Sequence, residues 1–366
     1  MRLRSIISPL GIVAVALGWL VLLPASIAQD SQPASAPAAT GDEYEQLSSA
    51  ELQRRAREFL TAGNLTEASR AIRFALAKDR ANDEVVSLAG EIAEASNDTG
   101  SARELYLEAL KIRPGQFQAN FGLGRLWART GQFRQARNYL ETAASVAPTE
   151  RAAETLTLLA QTYRGLVLRT QAVLTAEKAV QADAKNYDAW QTLALLRADN
   201  EEFEQALADT NPLLAIARED AARLPVTEAA LQRLFDAYDI RLKVLGAYQQ
   251  KLFLPNPDGS PSERVLPGKE AESGKILSQM VEIFSFQAEI RYRQAFFRTL
   301  PFAERVIEFG GPKVEYLLQL GMVQKNAYQF EQAAETFRKV LEIDAGNTVA
   351  REQLDALAAG QSAPPQ

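Results

Sequence analysis

The stretch that decides the fold is residues 83–150, which reads DEVVSLAGEIAEASNDTGSARELYLEALKIRPGQ over 83–116 and FQANFGLGRLWARTGQFRQARNYLETAASVAPTE over 117–150. Residues of the same character recur in these two segments with a spacing of 34. The pairs are Gly90 and Gly124, Ala102 and Ala136, Tyr106 and Leu140, Ala109 and Ala143, and Pro114 and Pro148. Agreement at five positions indicates an internal repeat, and a period of this length is typical of stacked helix pairs.

The same pattern extends outward from this stretch in both directions. One step back gives a unit at 49–82, and a shift of two residues gives units at 153–186 and 187–220. A further unit fits 314–347, and 280–313 is interpreted as a divergent unit directly before it. The composition agrees with a helical chain, because 61 of the 366 residues are alanine, the best helix former.

On these residues the chain resembles the tetratricopeptide repeat family, whose unit is a helix–turn–helix of 34 residues. The resemblance implies an all-α fold, a right-handed superhelical solenoid of antiparallel helix pairs. Small residues at positions 8 and 20 would let the two helices of a unit touch, and a bulky residue at position 24 would fill the space between units. A proline at position 32 would end the second helix. The large aromatic residues are therefore expected in the core and not at a cofactor site, namely Tyr106, Tyr163, Trp190 and Phe337.

The rhythm breaks at residues 221–279, between an N-terminal repeat block at 49–220 and a C-terminal block at 280–358. Apolar spacing predicts a long helix from Val226 to Leu254, capped by Thr227, and a second from about Glu270 to Arg298, with a Pro/Gly-rich loop between them. We interpret this segment as an enlarged, diverged repeat pair. The alternative is a partner-binding surface on which Phe296, Phe297 and Phe302 are exposed. Residues 348–358 are expected to form a capping helix, followed by a disordered tail at 359–366.

The N-terminal segment has the pattern of an export signal. Arg2 and Arg4 precede an uncharged apolar run at 6–23, and small residues follow before Gln29. This pattern predicts a secretory signal peptide at 1–28 that is cleaved, with an uncleaved membrane anchor at 6–23 as the alternative. A Pro/Ala-rich linker at 29–48 would follow. The expected location is the bacterial periplasm, because the two arginines hold the N-terminus in the cytoplasm.

The absence of cysteine and histidine removes many kinds of chemistry. No thiolate nucleophile, imidazole base, Cys- or His-ligated metal or disulfide is available, and no nucleotide-binding or nucleophile motif occurs. We therefore predict a protein that is not an enzyme, with no cofactor and no metal. The net charge of −6, which becomes −8 once the two N-terminal arginines are removed, argues against a nucleic-acid partner.

In proteins of this family the inner groove is lined by positions 2, 5, 9, 12 and 13 of each first helix. The matching residues here that we predict to bind a partner are Arg57, Phe121, Arg125, Arg129, Gln161 and Arg164. The arginines could hold a carboxylate of the partner, with Phe121 as an apolar shelf beside them. The alternative is that the arginines pair with the acidic second unit, where Glu84, Glu91 and Glu94 occupy groove positions, or stay solvated.

The function predicted from the sequence is a scaffold that binds a protein or peptide in the cell envelope. The alternative function is a carrier of a small apolar ligand, held in a cavity beside the aromatic-rich segment 280–313.

Overall fold

The structure is a computed structural model that describes residues 41–223, 226–254, 264–327 and 329–359. The predicted signal peptide, most of the linker and the tail from 360 onward lie outside the described residues. Two compact units are found, and the first, residues 1–47, is described only by the short helix α1 (Gly41–Gln46), within the predicted linker. Among the described helices none is long and apolar enough to cross a membrane.

The second unit, residues 48–366, is a stack of helix pairs whose bounds follow the predicted repeat. In each regular pair we call the first helix A and the second helix B. The pairs are α2 (Ser49–Thr61) with α3 (Leu65–Lys78), α4 (Asp83–Ala95) with α5 (Thr99–Ile112), α6 (Phe117–Arg129) with α7 (Phe133–Val146), α8 (Thr149–Gly165) with α9 (Arg169–Ala182), α10 (Tyr187–Asp199) with α11 (Phe203–Ala222), and α14 (Val314–Asn326) with α15 (Phe330–Ile343). The predicted all-α solenoid is confirmed.

The turn between helix A and helix B has a fixed geometry. Position 15 of each of the first five units takes a left-handed backbone conformation, with φ between 60° and 73°, and is occupied by Gly63, Asn97, Gly131, Val167 and Glu201. Glycine and asparagine suit this conformation, and a β-branched valine does not. Eight of the sixteen described helices follow a residue whose side chain accepts a backbone hydrogen bond from the first turn, as Asn82 and Asn186 do.

Small residues at positions 8 and 20 hold the two helices of a unit together, as predicted. The six alanines at position 20 have no exposed surface: Ala68, Ala102, Ala136, Ala172, Ala206 and Ala333. At position 8, a Cβ on Gly90 would lie 2.7 Å from the Tyr106 ring, and one on Gly321 would lie 2.6 Å from the Phe337 ring. Tyr106 also lies against Gly122 of the next unit, where a Cβ would be 2.4 Å from its ring, so it fills the space between units.

The middle of the chain forms one enlarged helix pair, α12 (Glu228–Lys251) and α13 (Glu270–Gly310). Helix α12 packs on α10 and α11 as the next A helix would, and α13 packs on α12 and α14. Thr227 caps α12, as predicted. Between the two helices Phe253 and Val265 form an isolated antiparallel bridge.

Two expectations for this region are wrong. The helix expected to end near Arg298 continues to Gly310, and residues 280–313 are not a two-helix unit, because α13 runs through most of them without a turn. The physical reason is that the turn position would be Gln294, a helix-compatible residue that is buried, and no glycine or asparagine is nearby to start a turn. Pro301 removes one backbone hydrogen bond but does not end the helix.

The stack ends in α16 (Thr348–Ala358), the predicted capping helix. Ala350 is fully buried, and Leu354 and Leu357 pack against the cluster around Phe337. The remaining, outward residues of the helix are mostly polar, which closes the apolar end of the last unit.

Candidate functional site

The A helices form the inner layer of the N-terminal block. Consecutive A helices contact each other from α2 through α4, α6, α8 and α10 to α12, whereas consecutive B helices do not pack side by side within the described residues. The crowded side of a curved stack is its concave side. The A helices therefore line the concave face, on which proteins built of stacked repeats present an extended surface.

A cavity of about 700 Å³ opens on this face between the first and fourth units. Its lining combines charged, amide and apolar side chains: Arg57, Glu84, Ser87, Leu88, Glu91, Arg113, Gln116, Phe117, Gln118, Val146, Pro148, Glu150 and Arg151. We call it the A-face cavity. Of the six predicted site residues, only Arg57 lines it.

Arg125 and Arg129 are held by the second unit, as the alternative interpretation predicted. Arg125 Nε and Nη2 donate to the two carboxylate oxygens of Glu94 at 2.9 and 2.8 Å, and Arg129 Nη1 lies 3.9 Å from the same carboxylate. Tyr106 donates its hydroxyl to Glu94 at 3.0 Å. The Glu94 side chain is only 7% exposed, so this cluster fastens the second and third units together and leaves little of Arg125 for a ligand.

Phe121 is not an exposed apolar shelf. It is 3% exposed, and the guanidinium carbons of Arg151 and Arg125 lie 4.9 and 5.2 Å from its ring centroid. These are cation–π distances. Phe117, stacked on Phe121 with 5.7 Å between ring centroids, offers the apolar surface to the A-face cavity instead.

Gln161 and Arg164 join the fourth unit to the fifth. Gln161 Nε2 donates to Thr192 Oγ1 at 3.0 Å, and Arg164 Nε donates to Asp199 Oδ2 at 2.7 Å. Neither residue reaches the A-face cavity. Both side chains of the Arg164 pair are about half exposed, so that ion pair contributes little to stability.

The A-face cavity contains polar groups that nothing among the described residues satisfies. The Oε1 atom of Gln118 is buried and has no hydrogen-bond partner. Glu91 forms no hydrogen bond or ion pair there, and burial raises the pKa of its carboxyl group although Arg151, Arg57 and Arg125 lie near enough to oppose the rise. The exposed side chain of Arg57 has no ion-pair partner in the described part of the chain. Unpaired acceptors of this kind are suited to a ligand that brings donors.

Sequence reasoning missed several residues of this cavity. Phe117 stands at position 1 and Val146 at position 30, outside the family's groove positions. Arg151 belongs to the two-residue shift between the third and fourth units, where α8 begins four residues before its regular position. That irregularity in the period is the signal that could have drawn attention to Arg151.

Other expectations about sites have mixed outcomes. Tyr106 and Phe337 are fully buried, whereas Tyr163 and Trp190 are half-buried and pack at the edges of clusters. Of the three phenylalanines on the proposed partner surface, only Phe302 is exposed. No group of three or more acidic residues within the described ranges is close enough to hold a metal ion.

The cleft nearest the aromatic-rich segment is not apolar. It encloses about 350 Å³ between α11, α12 and α13, and its lining includes the guanidinium groups of Arg218 and Arg241. An uncharged apolar ligand would desolvate both charges and leave their remaining N–H groups without an acceptor.

Comparison with known proteins agrees with the repeat. Residues 93–161 and 314–347 match the family described as Tetratricopeptide repeat. No curated protein matches the chain.

Several solved structures are similar in fold at low sequence identity. A structure of MamA from Desulfovibrio magneticus, residues 41 to the end, is 22% identical with a TM-score of 0.42, covering 47% of this chain and 96% of that one. Pseudomonas aeruginosa PilF is 14% identical with a TM-score of 0.44, covering 65% and 98%. A tetratricopeptide repeat protein from Parabacteroides merdae is 16% identical with a TM-score of 0.43, covering 87% and 100%.

The first matched segment runs from the end of α4 into α8, and the second contains α14 and α15. Over these two segments the chain is therefore built of tetratricopeptide repeats.

Proposed function

We propose that this protein is an exported, non-catalytic scaffold that binds a peptide segment of a partner protein in the A-face cavity. The observation that carries the proposal is the Glu91 carboxylate, which lines an open cavity and has no hydrogen bond or ion pair among the described residues. A peptide supplies backbone N–H and side-chain donors at regular spacing, and one of them would pair with this carboxylate.

The charges of the cavity favour a basic residue in that peptide. Glu91 and Glu150 have no ion pair among the described residues, whereas the only such cation in the lining is Arg57. Arg113 and Arg151 are already paired, with Asp83 at 2.5 Å and Glu154 at 2.6 Å. The uncompensated charge is therefore negative, and a lysine or arginine beside Glu91 would neutralise it.

The apolar part of the lining favours an apolar side chain next to the basic one. Phe117 presents its ring, and Val146, which is 45% exposed, lies in the same lining. Burial of an apolar side chain there would add affinity, and the polar groups would fix the direction of the peptide.

The setting of this function is the cell envelope, on the strength of the N-terminal sequence pattern at residues 1–28. A partner in the periplasm or on the outer face of the membrane is the expected target.

Photocrosslinking tests the proposal. A benzophenone amino acid placed at Val146 of the full chain, expressed in cells that export it, should crosslink a partner. The same group placed at Leu174, a comparably exposed apolar residue on α9 outside the cavity, should not. Mass spectrometry of the adduct should locate a segment with a basic residue.

A second variant pair identifies the group responsible. Glu91→Gln should reduce crosslinking at 146 roughly tenfold, because a hydrogen bond between charged groups is replaced by a neutral one. Glu104→Gln, an exposed glutamate on helix B of the same unit, is the matched control and should change nothing. Equal crosslinking from 146 and 174, or an unaffected Glu91→Gln protein, contradicts the proposal.

A further inference from the structure

The cleft between α11, α12 and α13 contains two arginines without a counter-ion. Neither Arg218 nor Arg241 forms an ion pair with a carboxylate of the described residues. Other arginines on α12 and α13, such as Arg233, Arg293 and Arg298, are paired. A site that keeps two guanidinium groups unpaired is unusual enough to require an explanation.

Neighbouring neutral groups hold Arg241 in place and leave its binding edge open. Its Nη1 atom donates to Thr210 Oγ1 and to Asn211 Oδ1, both at 2.8 Å. Those two bonds use both Nη1 hydrogens, and the Nε and Nη2 hydrogens have no partner among the described residues. That edge is the one with which arginine binds a carboxylate through two parallel hydrogen bonds.

Arg218 faces the same space from the rim. Its Nη2 atom donates to the Tyr238 hydroxyl at 2.9 Å, which leaves its other N–H groups available. Burial lowers the pKa of Arg241, and the charge of Arg218 lowers it further, since the two cations share the cleft. Glu282 also lines the cleft and compensates only one of the two charges.

The apolar residues of the lining favour a ligand whose anionic group carries an apolar substituent. Leu214, Ile283 and Phe286 provide an apolar wall, and Phe286 is stacked on Tyr238 with ring centroids 5.4 Å apart. A volume of about 350 Å³ is at the small end of ligand sites.

We propose that this cleft binds a carboxylate that carries an apolar group, with Arg241 and Arg218 holding the carboxylate and the apolar wall holding the substituent. A small organic acid and the C-terminal residue of an apolar peptide share this chemistry. The site is separate from the A-face cavity, so either can fail without the other.

Titration of the full chain followed by NMR or calorimetry tests the site. Benzoate and the peptide acetyl-Gly-Gly-Phe with a free carboxylate are the probes, and benzamide and the amidated peptide are their uncharged controls. We expect binding of at least one acid, and no binding of either amide. The probe that binds more tightly distinguishes a small acid from a peptide terminus. Failure of both acids to bind at millimolar concentration, or equal binding of the amides, overturns the proposal.

Substitutions test whether the acid binds in this cleft. Arg241→Gln should weaken binding of the acid at least about tenfold. Glu282→Gln, an exposed position where folding is not at risk, should strengthen it several-fold because it removes the competing charge. Arg223→Gln, at the C-cap of the helix that carries Arg218 and outside the cleft, should have no effect. Binding that none of these variants alters places the ligand elsewhere and contradicts the proposal.

A different observation, on α13, carries a second inference independently. This helix is apolar on two opposite faces. Ile276, Ile283 and Ile290 are buried on one face, whereas the other presents large side chains that are 42 to 68% exposed, namely Leu277, Val281, Phe284, Tyr292, Phe302 and Val306. With Ala288, Ala295 and Thr299, these residues lie within a sector of about 80° along the helix. We call this set the α13 stripe.

The spacing of the α13 stripe is symmetric about the midpoint between Arg291 and Tyr292. Positions 277, 281, 284 and 288 are mirrored by 306, 302, 299 and 295. A second copy of the helix, turned by 180° about that midpoint, would therefore place Val281 against Phe302 and Ala288 against Ala295. A two-fold interface requires such self-complementarity.

Charge favours the same arrangement. Residues 270–290 carry a net charge of −3, from Glu270, Glu272, Glu282 and Glu289 against Lys275. Residues 291–310 carry +2, from Arg291, Arg293, Arg298 and Arg305 against Glu304 and Glu308. Antiparallel pairing brings the acidic half of one helix beside the basic half of the other, whereas parallel pairing brings like charges together.

We infer that the α13 stripe binds the same stripe of a second copy, in an antiparallel two-fold dimer. The exposed stripe is about 44 Å long at 1.5 Å per residue, close to four heptads, a length at which paired helices associate.

Sedimentation of the full chain tests the dimer. The wild type should dissociate only at low concentration, and Val281→Asp should make it monomeric at concentrations where the wild type is dimeric. Leu174→Asp is the matched control, an exposed apolar residue on α9 that should leave the dimer intact. A wild type that is monomeric at every concentration, or a dimer that survives Val281→Asp, overturns the inference.

Cysteine crosslinking tests the orientation, and the chain has no cysteine of its own to interfere. The double variant Ala288→Cys with Ala295→Cys should form covalent dimers on oxidation, because the two positions face each other across the axis. Ala288→Cys alone should not, since its two copies would be offset by about 10 Å along the helix. Equal crosslinking by the single variant indicates a parallel pair and contradicts the inference.

Discussion

Val167 is a residue whose identity conflicts with its backbone conformation. It occupies the left-handed position of the turn between α8 and α9, with φ of 60°, and its side chain is 71% exposed. The equivalent positions of other units hold Gly63, Asn97 and Gly131. A β-branched residue in this region carries a steric cost of about 1–2 kcal/mol that no burial of the side chain offsets here.

Replacing this valine should stabilise the protein. Val167→Asn is expected to raise the free energy of unfolding of this part of the stack by about 1 kcal/mol, because asparagine tolerates the left-handed region. Urea unfolding followed by circular dichroism measures the change. Val349→Asn, at an exposed valine inside α16, should give no gain. A gain at both positions would mean that polarity, and not backbone strain, is the cause.

Asp209 makes the stability of the fifth unit depend on pH. Burial of its carboxyl group raises its pKa to about 6, although Arg197 Nη1 donates to both carboxylate oxygens at 2.8 Å. Because the pKa is higher in the folded than in the unfolded chain, the folded state binds more protons between about pH 4 and pH 6. The contribution of this group to stability therefore decreases as the pH rises through that window.

Asp209→Asn should remove this contribution. We expect the difference in unfolding free energy between pH 4.5 and pH 6.5 to shift in the variant towards greater relative stability at the higher pH. Urea unfolding at the two pH values measures it. Asp188→Asn, an exposed aspartate on α10, is the control and should keep the wild-type difference. An unchanged difference in Asp209→Asn would show that the ion pair with Arg197 outweighs burial.

At the scale of the element, α13 contains a proline, a residue that disfavours the interior of a helix. Pro301 lies inside this helix of 41 residues, where it cannot donate a backbone hydrogen bond. Pro301→Ala should therefore strengthen the C-terminal part of the helix by about 1–3 kcal/mol. Hydrogen exchange of residues 298–308 should slow, while exchange of 270–290 should not change. Faster exchange near 301 would mean that the proline relieves a clash that the alanine restores.

The regular helices could be predicted from the sequence because each carries its own boundary signals. Gly63 and Gly131 mark turns, Asn82 and Asn186 mark helix starts, and Pro114 follows the end of α5. Residues 280–313 lack these signals. The expectation of a two-helix unit there depended only on continuing the period of 34 residues. The residues of this segment themselves indicate the single helix α13, because Gln294 stands at the position where a turn would be needed.

The candidate site was less predictable than the elements, because the family's groove positions do not say which charges are already paired. Arg125 and Arg57 occupy the same position in two units, yet Glu94 neutralises one and nothing among the described residues pairs with the other. That difference depends on contacts between residues 31 apart. The position pattern could show that Glu94 faces the groove, but not that Tyr106 and two arginines converge on it.

At the scale of the whole stack, each helix pair of residues 48–366 contacts mainly its neighbours, so a change at one end should stay local. Helix α16 provides a test, because Ala350, Leu354 and Leu357 cover the apolar end of the last unit around Phe337. Deleting residues 348–366 should expose that cluster and destabilise α14 and α15 by roughly 2–4 kcal/mol.

Hydrogen exchange distinguishes a local from a global effect of this deletion. Exchange should accelerate in α14 and α15, and the amides of α4 to α7 should keep their wild-type protection, because the helix on which α16 packs is α15. Leu354→Ala, which removes part of the same cover, should produce the same pattern with a smaller amplitude. Equal acceleration across residues 83–150 would show that the stack unfolds as a single cooperative unit. In that case a ligand bound in the A-face cavity would stabilise α16 as strongly as it stabilises the helices around the cavity. The concave face and the C-terminal end would then be thermodynamically coupled.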